Sequence, residues 1–270
     1  MINGTVLKKY LTLLSLSWEE GLVYRMSVFM WRIRRFLAAL MSLTIWTTIY
    51  TSSAGSHFGY AQSEMISYIF LISVLQNLVL ATVLQGLAQD VNTGAISNIL
   101  LKPISLYGYL ATQEIADKLK NSLAMIFEFI ALFMLFRPEL VIPSLSVVAV
   151  FIAWVVGAIV LNFFISLLFG SLGFWSPETW APRFLFYIFI QFTAGQLFPL
   201  DVLPAIVQKI VYVTPFPYLS FVQTQLFLEK LTTAEIGTHT IVLIMWILGT
   251  GTAAFWIWKK GLKDYDAAGR

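Results

Sequence analysis

Glu128 is the residue of this chain best placed to do chemistry. It sits in the middle of the apolar run 119–136, whose one other charge is Lys120 near its start. A carboxylate inside hydrocarbon is expensive unless it faces a cavity or pairs with something, so it is a functional candidate by default. The alternative is a protonated or hydrogen-bonded Glu at a helix contact. Amides recur in the other apolar runs: Gln76 and Asn77 in 66–87, Asn162 in 141–169, and Gln191 and Gln196 in 184–200. Amides between packed helices satisfy one another. Gln76, Asn77, Gln191 and Gln196 therefore stand, with Glu128, as either interhelical polar links or the lining of a passage.

A second candidate is mechanical. The run Gly94-Ala95-Ile96-Ser97-Asn98-Ile99-Leu100-Leu101-Lys102-Pro103 lies between two apolar stretches. Asn92-Thr93-Gly94 supplies a turn and Pro103 a stop, which predicts a helix of about two turns. Ile96, Ile99 and Leu100 would share a face, with Leu101 and Lys102 beside them. A short helix with an exposed apolar face requires a protein partner.

Several chemistries are excluded or disfavoured. There are no cysteines, which removes disulfides, thiolate metal sites and cysteine nucleophiles. No phosphate-loop motif is present, so any ATP must act through another chain. No Gly-x-Ser-x-Gly elbow, His-Glu-x-x-His pair or paired intramembrane carboxylates occur. His57 and His239 are isolated and make a poor metal site. No basic block suggests nucleic acid.

The elements that must position these residues are membrane helices. At 59% hydrophobic and 11% charged, with a mean hydropathy of +0.80, the 270 residues have too little polar surface to cover a water-soluble globule. A helix needs roughly 20 apolar residues to cross a bilayer. Six stretches qualify, at 36–53, 66–87, 119–136, 141–169, 184–200 and 240–258, with the ends of the fourth and fifth least defined. With both termini inside, fourteen of the 17 Lys and Arg fall in cytoplasmic segments and Arg137, Lys209 and Lys230 outside. The basic stretch before residue 36 does not resemble a cleaved signal peptide, so the mature chain is expected to start at Met1. Asn3-Gly4-Thr5 matches the glycosylation pattern by chance.

Residues 1–35 read as an amphipathic helix. Leu7, Leu11, Leu14, Trp18 and Leu22 recur at helical spacing, with Lys8, Thr12, Ser15 and Glu19 alongside. Such a helix lies in the inner interface, packs on the protein's own cytoplasmic face, or does both. Residues 88–118 form the main cytoplasmic loop. The outer connection 201–239 carries an apolar stripe at Val202, Leu203, Ile206, Val207, Ile210 and Val211, and prolines break it into pieces too short to span. A re-entrant or interfacial helical hairpin follows. Small residues spaced by four, Ala153 with Gly157 and Ser166 with Gly170, permit close helix approach within the subunit or between subunits. No internal repeat is visible, so the chain reads as one transmembrane domain over 1–270, all-α and polytopic.

This order of parts resembles the ABC-2 type permeases of bacterial ABC exporters. The local matches are Gly94 with Leu100-Leu101-Lys102-Pro103-Ile104 in the inner loop, and Phe198-Pro199-Leu200 with Pro204 and Pro215 at the outer hairpin. The resemblance implies six spans, an N-terminal interfacial helix and a cytoplasmic coupling helix that docks on a cytosolic ABC ATPase. It also implies a second copy of the chain or a related permease in the same membrane. ATP and Mg would be bound by the partner ATPase, with no cofactor in this chain. The cargo would be an amphipathic or lipid-like substrate, a drug, a peptide or a glycolipid, exported across the bacterial cytoplasmic membrane. Two other readings stay open: a non-transporting membrane scaffold that recruits a cytosolic protein, and an intramembrane enzyme using Glu128.

Overall fold

The computed structural model describes residues 4–23, 25–52, 59–80, 83–263 and 265. The Asn3 pattern, His57 and the chain's last five residues lie outside them. The regular elements described are all helical: α1 (Gly4–Val23), α2 (Arg25–Ser52), α3 (Gln62–Leu78), α4 (Leu87–Asn92), α5 (Ser97–Leu100), α6 (Leu106–Phe136), α7 (Leu145–Gly170), α8 (Trp180–Thr193), α9 (Ala205–Tyr212), α10 (Phe221–Phe227) and α11 (Thr233–Gly261).

Among the described residues, α6, α7 with the turn that extends it to Phe174, and α11 are each long and apolar enough to cross a membrane. Residues 62–92 become a fourth candidate if α3 and the segment after its 62° bend count as one span. The six apolar stretches therefore do not become six uniform helices. α2 has the length, at 28 residues, but Arg32, Arg34 and Arg35 interrupt its first half and threonines its second. The hydroxyls of Thr44, Thr47 and Thr48 donate to carbonyls one turn back, which satisfies them inside the helix. α8 stops after 14 residues, about 21 Å of rise against a hydrocarbon core of about 30 Å. It ends where Gly195 takes φ +71°, a conformation a side chain would strain. Phe127, Met134, Leu185, Leu248 and Trp256 stay exposed on the outward faces of α6, α8 and α11, a surface suited to lipid rather than water.

The stretch 66–87 breaks after Leu78, and polar side chains from two other helices satisfy the carbonyls freed there. Lys118 Nζ donates to Val79 O at 3.1 Å and Leu80 O at 2.9 Å. Asn162 Nδ2 donates to Val79 O at 3.0 Å. Beyond the break, the Val83 N–H donates to Glu114 Oε2 at 3.1 Å, and Glu114 pairs with Lys118 at 3.2 Å. Irregular backbone at membrane depth survives only with such internal partners.

The expected loop 88–118 is largely helix. α6 begins at Leu106, where Ser105 Oγ accepts the Gly108 N–H at 3.1 Å, thirteen residues before the predicted start of the span. Glu114, Asp117, Lys118 and Lys120 lie within it and pair along its own length, so their charges do not end it. α6 closes at Arg137 with φ 44°, and Pro138 follows.

α1 runs along α6. Leu13 and Ser17 are buried there, Lys9 Nζ donates to Pro103 O at 3.3 Å, and Lys120 Nζ donates to Ser17 O at 3.1 Å. Leu7 and Leu11, from the predicted apolar stripe, remain exposed. The helix therefore packs on its own protein with one face and offers an apolar face outward with another.

Small residues bring helices together inside the subunit. Gly157 faces Leu243 of α11, and Gly170 faces Leu87 of α4. Gly173 is the tightest: a Cβ there would run into the carbonyl oxygen of Ala88, a backbone atom that cannot swing aside. Gly173→Ala is expected to destabilise the detergent-solubilised chain by about 1–3 kcal/mol through overpacking. Thermal unfolding should show this against Gly237→Ala, where the added carbon meets nothing within 4 Å and the midpoint should hold or rise, since alanine favours the helix. Equal midpoints would remove the close contact.

Candidate functional site

One cavity of about 1100 Å³ opens among α2, α3, α6, α7 and α8. It follows α3 from Met65 to Asn77, about 18 Å of rise, and reaches Ala88 beyond the bend. Gln76, Asn77, Glu128, Gln191 and Gln196 all line it. The fold thus brings together five residues singled out from three separate apolar runs. Asn162 also lines it, while its amide N–H is spent on the break in α3.

Glu128 meets Arg32 across the cavity. Arg32 Nε donates to Glu128 Oε1 at 2.6 Å. Arg32 Nη1 donates to Asn77 Oδ1 at 2.8 Å, and Arg35 Nη1 donates to the same oxygen at 2.5 Å. Asn77 Nδ2 returns to Ser73 O at 2.8 Å. One cluster therefore clamps α2, α3 and α6. Arg32 and Arg35 were not among the residues singled out in sequence, where they counted only toward the basic stretch before residue 36. Their spacing of one helical turn puts both on one face, but nothing local says that this face looks inward. Polar capacity is left over among the residues that line the cavity. Arg32 Nη2 and both amide atoms of Gln196 are buried with no hydrogen-bond partner among the described residues.

Glu128→Gln is expected to insert and fold. The amide oxygen still accepts from Arg32 Nε, so the loss is confined to the charge attraction, about 1–3 kcal/mol. Glu128→Ala, which leaves a buried guanidinium uncompensated, should cost about 3–5 kcal/mol. Unfolding midpoints for the two variants check the order. An Ala variant as stable as the Gln variant would reduce the ion pair to a bystander.

The predicted mechanical helix is α5, a single turn of four residues after a run of turns at 93–96. Ile96 precedes it, with its N–H bonded to Asp90 O at 3.1 Å. Ile96 is fully buried among Leu87, Leu106, Leu110, Leu167 and Trp258. Ile99 is half-buried, while Leu100 is 43% and Leu101 85% exposed. Lys102 Nζ lies 4.4 Å from the centre of the Tyr109 ring. The apolar face left open is therefore Leu100 and Leu101, and Ile96 anchors the turn from beneath.

At the opposite end, the pieces of 201–239 close the fold. α10 is buried along its length, and α9 leaves Ile206 and Ile210 exposed. Tyr60 donates to Asp201 Oδ2 at 2.6 Å, and Gln225 Nε2 donates to the same oxygen at 2.7 Å. Burial, and then the Asp201 carboxylate, push the Tyr60 hydroxyl far above its ordinary range, which keeps it a neutral donor. Lys230 packs 4.0 Å from the centre of the Tyr60 ring and pairs with Glu64 at 3.2 Å. His239 Nδ1 meets the Tyr218 hydroxyl at 2.9 Å, a packing role rather than that of a ligand.

A chain that is all-helical among the described residues, with apolar outward faces and a large cavity between its helices that carries charged and amide groups, is a multi-pass membrane protein of the transporter kind. The family model described as ABC-2 family transporter protein matches residues 36–269, and the chain belongs to that family. Membership makes it a permease component of an ABC transporter, a membrane subunit of a generally non-catalytic class that normally works with an ATPase subunit. Among the curated proteins no match is found.

Proposed function

We propose that the chain is the permease of an ATP-driven exporter that moves an amphipathic or lipid-like substrate, drug, peptide or glycolipid outward across the bacterial cytoplasmic membrane. The observation that carries this reading is the cavity, which follows α3 and gathers Glu128 and the amides of three other helices. The six spans are α2, α3 with its bent continuation, α6, α7, α8 with the segment to Leu200, and α11. Both termini lie inside, and 201–239 returns into the outer leaflet. The whole chain forms one transmembrane domain. A second copy or a related permease completes the passage, and a cytosolic ABC ATPase holds ATP and Mg, with no cofactor in this chain and no nucleic-acid partner. Leu100 and Leu101 are the contact to that ATPase, positioned by Ile96, Ile99 and Lys102.

Purification from the native host in mild detergent tests the assignment. A P-loop ATPase should accompany the permease in near-equal amount, and a stable complex lacking one would favour the scaffold reading. Topology is tested on intact cells, since the chain has no native cysteine. A cysteine at 230 should react with an impermeant thiol reagent, and one at 102 should not. The reverse pattern would invert the orientation.

A further inference from the structure

The cavity is charged at one end and largely apolar along the rest, with Gln191 and Gln196 among the polar exceptions. Five basic residues line it, Arg32, Arg34, Arg35, Lys120 and Arg183, against the acidic Asp117 and Glu128. Both acids are already engaged, Glu128 by Arg32 and Asp117 by Lys120 at 3.6 Å and Asn121 at 2.7 Å. The net lining is therefore positive. The basic groups lie early in α2 and α8 and midway along α6; Arg32 and Arg35 bond Asn77 before the α3 break, and Arg183 Nη1 donates to Gln85 O at 2.7 Å beyond it. Farther along the same helices the lining turns to Phe36, Trp46, Ile69, Ile72, Leu132 and Ile190.

A basic residue at a membrane boundary ordinarily turns its head outward to lipid and water. Arg32 does not. It is only 8% exposed, and both it and the half-buried Arg35 bond Asn77 on the inner side of α2. Arg32 Nη2 has no hydrogen-bond partner among the described residues, although buried donors are nearly always satisfied. A volume of about 1100 Å³ is at or above the usual range of about 300–1,000 Å³ for small-molecule sites, which leaves room for a tail as well as a head.

We propose that this cavity takes an anionic amphiphile, its phosphate or carboxylate head held among Arg32, Arg35, Lys120 and Arg183 and its apolar tail laid along the far half of α2, α3 and α6. This rests on the exporter reading and names its cargo class. Guanidinium groups suit the head because their forked donors match planar or tetrahedral oxyanions. Glu128 has a part in this arrangement: it fixes Arg32 through Nε at the edge of the cavity.

The test is binding, independent of ATP and of transport. The full chain, delipidated in dodecyl maltoside, is titrated with dioctanoyl phosphatidylglycerol, dioctanoyl phosphatidylcholine and inorganic phosphate. Phosphatidylglycerol should bind at least about tenfold more tightly than phosphatidylcholine, and phosphate should neither bind measurably nor compete. Arg35→Gln with Arg183→Gln should remove that preference, while Lys259→Gln with Lys260→Gln, exposed and outside the cavity, should keep it. If the arginine pair lowers the unliganded melting point, Lys120→Gln takes its place and should weaken phosphatidylglycerol about threefold or more. Equal affinity for the two lipids would overturn the anionic head. Phosphate competing at the affinity of the lipid would overturn the tail and leave a bare anion site. A failed preference in a permease that still carries its ATPase rejects the cargo class alone, whereas loss of the ATPase rejects the exporter.

Discussion

Lys118→Met is expected to lower the stability of the solubilised chain by about 3–5 kcal/mol, the range for breaking a buried ion pair by removing one partner. Lys118 is 8% exposed, and its ammonium serves three acceptors at once: the carbonyls of Val79 and Leu80 and the carboxylate of Glu114. Methionine keeps the stem and its packing but removes every donor. The two carbonyls then lose their donor from α6 at the point where α3 has stopped satisfying them itself, and Glu114, only 4% exposed, loses its positive neighbour. Glu114→Gln in the same chain should recover part of the loss, with a coupling between the two sites of about 0.5–3 kcal/mol. Thermal unfolding of the four members of this cycle measures it. A single variant that melts with the parent protein would show that the break in α3 needs no side-chain support from α6.

Replacing Leu100 and Leu101 together by Asp is expected to abolish association with the ATPase and, with it, transport, while leaving the permease itself intact. Both side chains are exposed in the isolated chain, so charges there meet water and the unfolding midpoint should hold. In the proposed complex the same charges would be desolvated against a partner surface. Apolar anchors at the centre of an interface contribute about 2 kcal/mol or more each, and an unpaired carboxylate in their place adds its own desolvation penalty. The internal control is Ile96→Asp, which places a charge among Leu87, Leu167 and Trp258 and should unfold the α5 end with no partner present. Co-purification and melting point, read on the same samples, separate docking from folding. A Leu100/Leu101 variant that keeps its ATPase and full transport would sink the docking role, and one that melts early would return these leucines to the permease's own core.

Sequence alone determined the order of the apolar runs, the end of one of them at Phe136, and the fact that Glu128 needs a partner or a cavity. These are local properties: hydropathy, proline and the cost of a carboxylate in lipid act on a residue wherever the chain carries it. Which partner Glu128 finds was not local. Arg32 stands 96 positions away in a stretch whose charges look solvated, and only the packing of α2 against α3 and α6 turns it inward. The break after Leu78 was equally hidden, because 66–87 carries no proline and no charge, and the donors that stabilise its free carbonyls arrive from Lys118 and Asn162 on other helices. Helical spacing placed Ile96 beside Ile99 and Leu100, but helix periodicity presumes a helix. Residues 93–96 are turns whose hydrogen bonds run back to α4, so Ile96 drops into the core and Leu101 takes the exposed position. A run of residues can show that a polar group must be satisfied, or that an apolar one must be covered. Which group does so depends on contacts between segments far apart in the chain, and those exist only in the folded protein.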